Sequence, residues 1–225
     1  MSYCCMMGTT NILCFGDSNT WGYIPGSEGE RYSADVRWPG ILQAELGGGV
    51  KVIEEGQNGR MSVWDDPMEP LLSKCGLTHL PVVLESHKPL DLVIIMLGTN
   101  DLKSHMNNSP HSIANGVITL VDRVLASDSG PCKHPPQVLM VCPAPVSEGK
   151  CPFGHLFTDA PEKSRDLPVS YSELAVDRGV SFLNAGDFAT CPVPDCIHLD
   201  ASGHASLGRA IAEKVRSMGF GFPSQ

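Results

Sequence analysis

The sequence predicts an α/β protein with a central parallel sheet covered by helices on both faces. Three observations lead there. Short apolar runs alternate along the chain with stretches of helical apolar spacing, the order in which βαβ units are written. Residues 92–97 are six consecutive apolar side chains, as a central parallel strand needs when both of its faces are buried. Several of the apolar runs stop at glycine-bearing turns, and the carboxyl ends of strands are where open sheets of this kind hold their ligands.

In order, a first strand over 12–15 ends at Gly16-Asp17-Ser18-Asn19-Thr20, where glycine permits a sharp turn. A polar loop carrying Trp21 and Tyr23 runs on to about residue 33. Trp38, Ile41, Leu42 and Leu46 share one face of a helix over 35–46, which Gly47-Gly48-Gly49 stops. A strand over 50–54 runs into Gly56-Gln57-Asn58-Gly59. Residues 61–76 read as a long loop with one helical turn at most, and 77–87 as a helix with Pro81 near its start.

The strand at 92–97 ends in Gly98-Thr99-Asn100-Asp101, followed by a helix over 112–125. A fourth strand, 138–142, leads through Pro143-Ala144-Pro145 to a Gly/Pro-rich loop or lid over 147–161. A helix over 162–178, a short strand over 180–183 and a last helix over 202–217 complete the chain. No repeat or linker divides it, so it reads as one domain over 1–225, with 1–10 a loose tail. Five strands in the flavodoxin-like order 2-1-3-4-5 make a three-layer α/β/α sandwich. In that order the ends of the first three strands lie side by side, and Ser18, Gly59 and Asn100 meet at one crevice.

A net charge of -9, with no basic run, argues against a nucleic-acid partner. No apolar stretch approaches the roughly 18 residues that a membrane span needs. No basic region followed by a long apolar segment opens the chain, so a cytoplasmic location is expected, with the nine cysteines as reduced thiols. Cys132, His134, Cys142, Cys151 and His155 are conceivable zinc ligands, but they contain no C-x-x-C pair and Cys142 ends a core strand. Neither a metal nor a cofactor is expected.

A serine hydroxyl becomes a useful nucleophile only when a base takes its proton and a third group holds that base in the right tautomer. Ser18 sits where such a group would be presented, although a turn or helix-cap role is the plainer reading of a lone G-D-S. Of eight histidines, His198 stands apart: Asp195 precedes it by three residues, after the fifth strand and before the last helix. On a turn, that spacing lets the carboxylate accept from Nδ1 and leaves Nε2 facing outward. His204 reads as a helix-start residue without a carboxylate at the same offset. Backbone N–H groups of Ser18 and Gly59 and the side-chain amide of Asn100 are candidate donors to a developing oxyanion. Gly59 alone would pass for a turn glycine and Asn100 for a loop asparagine. Trp21 and Tyr23 are either packing residues or walls of a substrate pocket.

G-D-S-N-T, G-Q-N-G, G-T-N-D and D-x-x-H, at these places along the chain, resemble the four blocks of the SGNH (GDSL) hydrolase superfamily. Stretches such as Asp35-Val36-Arg37-Trp38 are similar to its bacterial arylesterase and acyltransferase branch, which includes perhydrolases. That resemblance implies Ser18 as nucleophile, His198 as base and Asp195 as its orienter, with Ser18, Gly59 and Asn100 forming the oxyanion hole. It also implies a small acyl-ester substrate, water or an alcohol as acceptor, and a homo-oligomer, octamers being among the assemblies of that branch. One departure is Met61-Ser62 after Arg60, where relatives often carry two threonines. A carbohydrate O-acetyl esterase and a non-catalytic flavodoxin-like binding module are the alternative readings. No G-x-S-x-G, H-E-x-x-H or Walker loop occurs, so the sequence offers no α/β-hydrolase elbow, zincin or P-loop motif.

Overall fold

The computed structural model describes residues 8–149 and 151–221. Five parallel strands, β1 (Thr10–Gly16), β2 (Val50–Gly56), β3 (Leu92–Met96), β4 (Gln137–Cys142) and β5 (Ser181–Asn184), form one sheet. Its order is β2-β1-β3-β4-β5, as the alternating pattern predicts. Register is set by the buried pairs: Cys14 lies beside Ile94 and Gly16 beside Met96, and Ile95 beside Met140.

Because side chains alternate across a strand, each buried strand feeds two cores. Leu13, Phe15, Val93, Ile95 and Met140 point to one side, where they pack with α3 (Gly76–His87), α4 (Pro110–Leu125) and α5 (Ala160–Arg178). Ile12, Cys14, Leu92, Ile94 and Leu139 point to the other, against α2 (Trp38–Leu46) and α6 (Ala201–Ser217). Among the described residues, no helix is long and apolar enough to cross a membrane.

Differences from the sequence reading have local causes. β2 runs on to Gly56 through Glu54 and Glu55, because Glu54 meets Arg37 at 2.8 Å and Glu55 meets His87 Nε2 at 2.9 Å. Paired carboxylates are tolerated on this edge strand, but they conceal it from an apolar-run reading. Helix α2 starts at Trp38, since Arg37 is extended (φ -65°, ψ 142°). β3 stops one residue early: the Leu97 carbonyl accepts from the Tyr171 hydroxyl at 2.8 Å. Helices α4 and α5 each begin two residues ahead of expectation, with Pro110 and Pro161 in their first turns, where a missing N–H costs nothing. Of the expected tail, residues 1–7 lie outside the described residues, and Thr10 already pairs with Val50.

The expectation of reduced thiols holds for Cys14, Cys75, Cys142 and Cys191 and fails at Cys132, Cys151 and Cys196, which are disulfide-bonded. Cys151 and Cys196 form a disulfide, their Cα atoms 6.2 Å apart across a sequence separation of 45. The fold lays the 147–161 loop against the turn before His198, a proximity that cysteine spacing cannot reveal. With Cys151 taken, the zinc grouping considered from sequence also dissolves. Cys142 is buried, and burial pushes its thiol far up.

Candidate active site

The serine turn is built by close packing. A Cβ on Gly16 would lie 2.0 Å from Thr20 Oγ1 and 2.8 Å from the Met96 carbonyl, so only glycine fits. That requirement is contact, not the special dihedral expected from sequence. Asp17 then caps a four-residue helix, α1 (Ser18–Trp21), its carboxylate accepting from the Asn19 N–H at 2.9 Å. Ser18 is therefore not the capping side chain. Its hydroxyl is buried and faces His198 Nε2 at 2.8 Å.

The histidine turn arrives from the far end of the chain. Asp195 Oδ2 faces His198 Nδ1 at 2.9 Å. Asp195 Oδ1 accepts from the backbone N–H groups of Ile197 and His198, and Oδ2 also from Gly26. Burial works to raise the Asp195 pKa, but these donors and the His198 charge hold the carboxyl below its ordinary range. Tyr23 stacks on the imidazole at 4.3 Å between centroids, and Phe153 meets it edge-on at 6.4 Å.

Ser18, Gly59, Asn100 and His198 all line one cavity of about 230 Å³. Gly59 takes a left-handed conformation (φ +81°) that a side chain would resist. Asn100 opens a single helical turn, and its amide donates to the Arg60 carbonyl at 3.1 Å. The rest of the lining is divided in character. Tyr23, Phe153, Leu156, Phe157 and Ile197 are largely apolar, whereas Asn58, Glu69 and Lys103 are polar. Lys103 is buried and reaches Asp66 at 2.6 Å and Glu69 at 3.0 Å. Trp21 does not line the cavity; its ring lies under the Arg31 guanidinium at 5.1 Å. Of the two aromatics weighed from sequence, Tyr23 is the wall and Trp21 the packing residue.

Three supporting residues escaped the sequence reading. Asn19 clamps the serine and histidine turns together: its amide donates to the Ile197 carbonyl at 3.2 Å and its oxygen accepts from the Leu199 N–H at 2.9 Å. Arg60 donates to the carbonyls of Gly16, at 2.7 Å, and of Glu55, tying the ends of β1 and β2. Burial lowers its pKa to about 10. Asp101 accepts from the N–H and hydroxyl of Ser62, fixing the second turn to the third. Burial pushes the carboxyls of both Asp17 and Asp101 up to about 6. All three residues stand inside or beside the quoted motifs, which is the only signal they carried; their partners lie far off in sequence.

His204 has a different task. It is buried in α6, and its Nδ1 accepts from the Trp38 N–H at 3.3 Å, at the start of α2. Burial depresses its pKa to about 4. It is a neutral structural acceptor between two helices, not a rival base.

A hydroxyl, an imidazole and a carboxylate in line at the carboxyl edge of a parallel sheet, without a nucleophile elbow, fit a serine hydrolase, and similarity to known proteins makes it a carboxylic ester hydrolase of the SGNH type. The chain belongs to the GDSL-like Lipase/Acylhydrolase family, whose model matches residues 14–205. Among solved structures it is similar to an aryl esterase from M. smegmatis, with 42% identity and a TM-score of 0.87. That alignment covers 92% of this chain and 99% of the other. It is equally similar to Est24, a carbohydrate acetylesterase from Sinorhizobium meliloti, at 44% identity over 93% and 99% of the two chains, TM-score 0.87. A carbohydrate acetylesterase family member from the same organism aligns at 34% identity over 93% and 98%, TM-score 0.86. A search among curated proteins found no match.

Proposed function

We propose that the protein is a cofactor-independent serine esterase for short-chain acyl esters, with Ser18 as nucleophile, His198 as general base and Asp195 as its orienter. The observation that carries this is the unbroken line from Asp195 Oδ2 through the imidazole to Ser18 Oγ, at 2.9 and 2.8 Å. Neutral His198 accepts the serine proton as Oγ attacks the ester carbonyl, and Asp195 holds the Nδ1–H tautomer. The Tyr23 ring face favours the imidazolium that forms. The negative oxygen is received by the N–H groups of Ser18 and Gly59 and by the Asn100 amide. His198 then protonates the leaving alcohol, and water or a second alcohol resolves the acyl-enzyme. A cavity of about 230 Å³ suits a small acyl group. The same apolar wall would favour an alcohol acceptor over water, which is the basis for expecting acyl transfer beside hydrolysis.

Active-site titration with a fluorophosphonate probe tests the reading. Labelling at Ser18 that disappears in His198→Ala supports it; no labelling returns the fold to a non-catalytic binding module. A second reading, a carbohydrate O-acetyl esterase, is favoured by the polar side of the cavity. The Glu69 carboxylate is held there by Lys103 at 3.0 Å and Lys74 at 2.9 Å, fixed to accept hydroxyl hydrogen bonds. Relative kcat/KM on partly acetylated sugars and on aryl acetates separates the two. Assembly into a homo-oligomer is part of the same proposal. Met68, Leu71 and Leu72 stand 70%, 101% and 57% exposed near the cavity and support it, and size-exclusion with light scattering measures it.

A further inference from the structure

The Cys151–Cys196 disulfide joins the two segments that meet over the imidazole. Cys196 lies inside the Asp195–His198 turn, and Cys151 lies two residues before Phe153, whose ring touches His198 edge-on. Phe153, Leu156 and Phe157 from the Cys151 side line the catalytic cavity. Of these three, Phe157 also borders a separate cavity of about 700 Å³, which Cys151 and Cys196 line as well. Phe157 is anchored in the core, whereas Phe153 and Leu156 are only partly buried against it, so packing holds the Phe153 end of the wall less firmly. Its polar ties to the rest of the fold lie towards its two ends: the Ser147 N–H donates to the Cys196 carbonyl at 2.9 Å, Arg165 meets Glu148 at 3.1 Å, and the Thr158 N–H donates to Ser104 Oγ at 3.0 Å. The bonds between are local, such as that from the Gly154 N–H to the Cys151 carbonyl at 2.9 Å. The histidine turn has its own supports in the three N–H groups that Asp195 accepts. Loss of the cross-link would thus release the wall before it disturbed the triad.

We propose that Cys151–Cys196 is a positioning cross-link that holds the Phe153 wall against His198 and so sets the size of acyl group the site accepts. The proposal rests on the esterase reading above. A dithiol of the dithiothreitol class opens the bond. Its thiolate attacks one protein sulfur to give a mixed disulfide, and its second thiol displaces the remaining cysteine. The protein gains two electrons and two protons as two cysteine thiols, and the dithiol leaves as its cyclic disulfide.

The experiment uses the full chain. Peptide mapping without reduction locates the bond. Then kcat and KM are measured on p-nitrophenyl acetate through octanoate, with and without dithiothreitol, for wild type and Cys151→Ser. Opening the bond should raise KM for acetate by roughly 3- to 10-fold with little change in kcat, since only the wall has moved. The ratio of kcat/KM for octanoate to that for acetate should rise about tenfold. Cys151→Ser should show the raised ratio without reductant and respond to reductant no further. Alkylation of Cys151 and Cys196 as free thiols in untreated protein overturns the proposal. So does an equal change on every ester, or a reductant response that survives in Cys151→Ser. Fluorophosphonate labelling of the oxidised protein is read separately: an unlabelled Ser18 sinks the esterase reading itself, and this inference with it.

Discussion

At the base of the cavity Asp17, Ser18, Asn19, Arg60, Asn100 and Asp101 are each 6% exposed or less. Towards its rim, Leu71 near the lining residue Glu69 is fully exposed, and Phe153 and Leu156 are only partly buried. The base is made from the ends of β1, β2 and β3, cross-linked by buried polar bonds that leave each side chain one position. The rim is made from two long loops that are anchored by buried residues such as Met61, Asp66 and Phe157 but leave Met68, Leu71 and Leu72 exposed and Phe153 half-buried. The contrast shows where rigidity is needed. An attacking oxygen and its base must be held within hydrogen-bond distance, whereas a wall that sorts substrates by size tolerates looser support.

The sharpest way to break this division is at its centre. Ser18→Ala should lower kcat by roughly 10⁴- to 10⁶-fold, the loss seen when a triad nucleophile is removed. Its thermal midpoint should stay near wild type, because the side chain is small and its deletion leaves the Asn19 and Arg60 clamps in place. Substantial turnover in the variant would falsify the nucleophile assignment. Asn100→Ala comes next, with a fall in kcat of about 10²- to 10³-fold and KM little altered, as expected for a donor that acts on the transition state. A rise in KM at constant kcat would place Asn100 in ground-state binding instead.

His204 sharpens the comparison from outside the cavity. The fold holds its imidazole neutral, with a pKa near 4 against an ordinary 6.5. Since the folded pKa is depressed, the unfolded chain binds more protons between these values. Stability tied to His204 is complete above pH 6.5 and is lost as pH falls towards 4. At pH 5 the loss is about 2 kcal/mol. Urea midpoints at pH 7.5 and pH 5 should therefore converge in His204→Gln; an undiminished acid loss in that variant assigns the effect to other groups. The smallest effect belongs to the rim. Phe153→Ala should change kcat/KM by about tenfold, in a sense that depends on acyl length, since about 1.4 kcal/mol, the low end of what one apolar pocket contact is worth, is a factor of ten. A loss of several orders of magnitude on every ester would show that the wall is part of the base after all.

Much of this molecule is legible before it folds. The five strands, their order and the last helix are carried by local pattern, because alternation of apolar runs and helical spacing is a property of neighbouring residues. The four motif stretches are equally local, and the structure brings Ser18, Gly59, Asn100 and the Asp195–His198 turn to one cavity. Trp21 and Tyr23 could not be told apart, since the choice depends on how α1 ends. The far end of β2 is hidden in the sequence because its carboxylates have partners, Arg37 and His87, that lie elsewhere along the chain.

What the sequence determined, then, is which residues could do chemistry and at which strand ends they would stand. Tertiary structure alone decided which side chains hold them there. Asn19 finds its partners about 180 residues away, Arg60 reaches two strand ends, and Cys151 bonds to a cysteine 45 residues on. Such pairings leave no local trace, because a hydrogen bond or disulfide depends on distance in space, and the sheet sets that distance only once all five strands have paired.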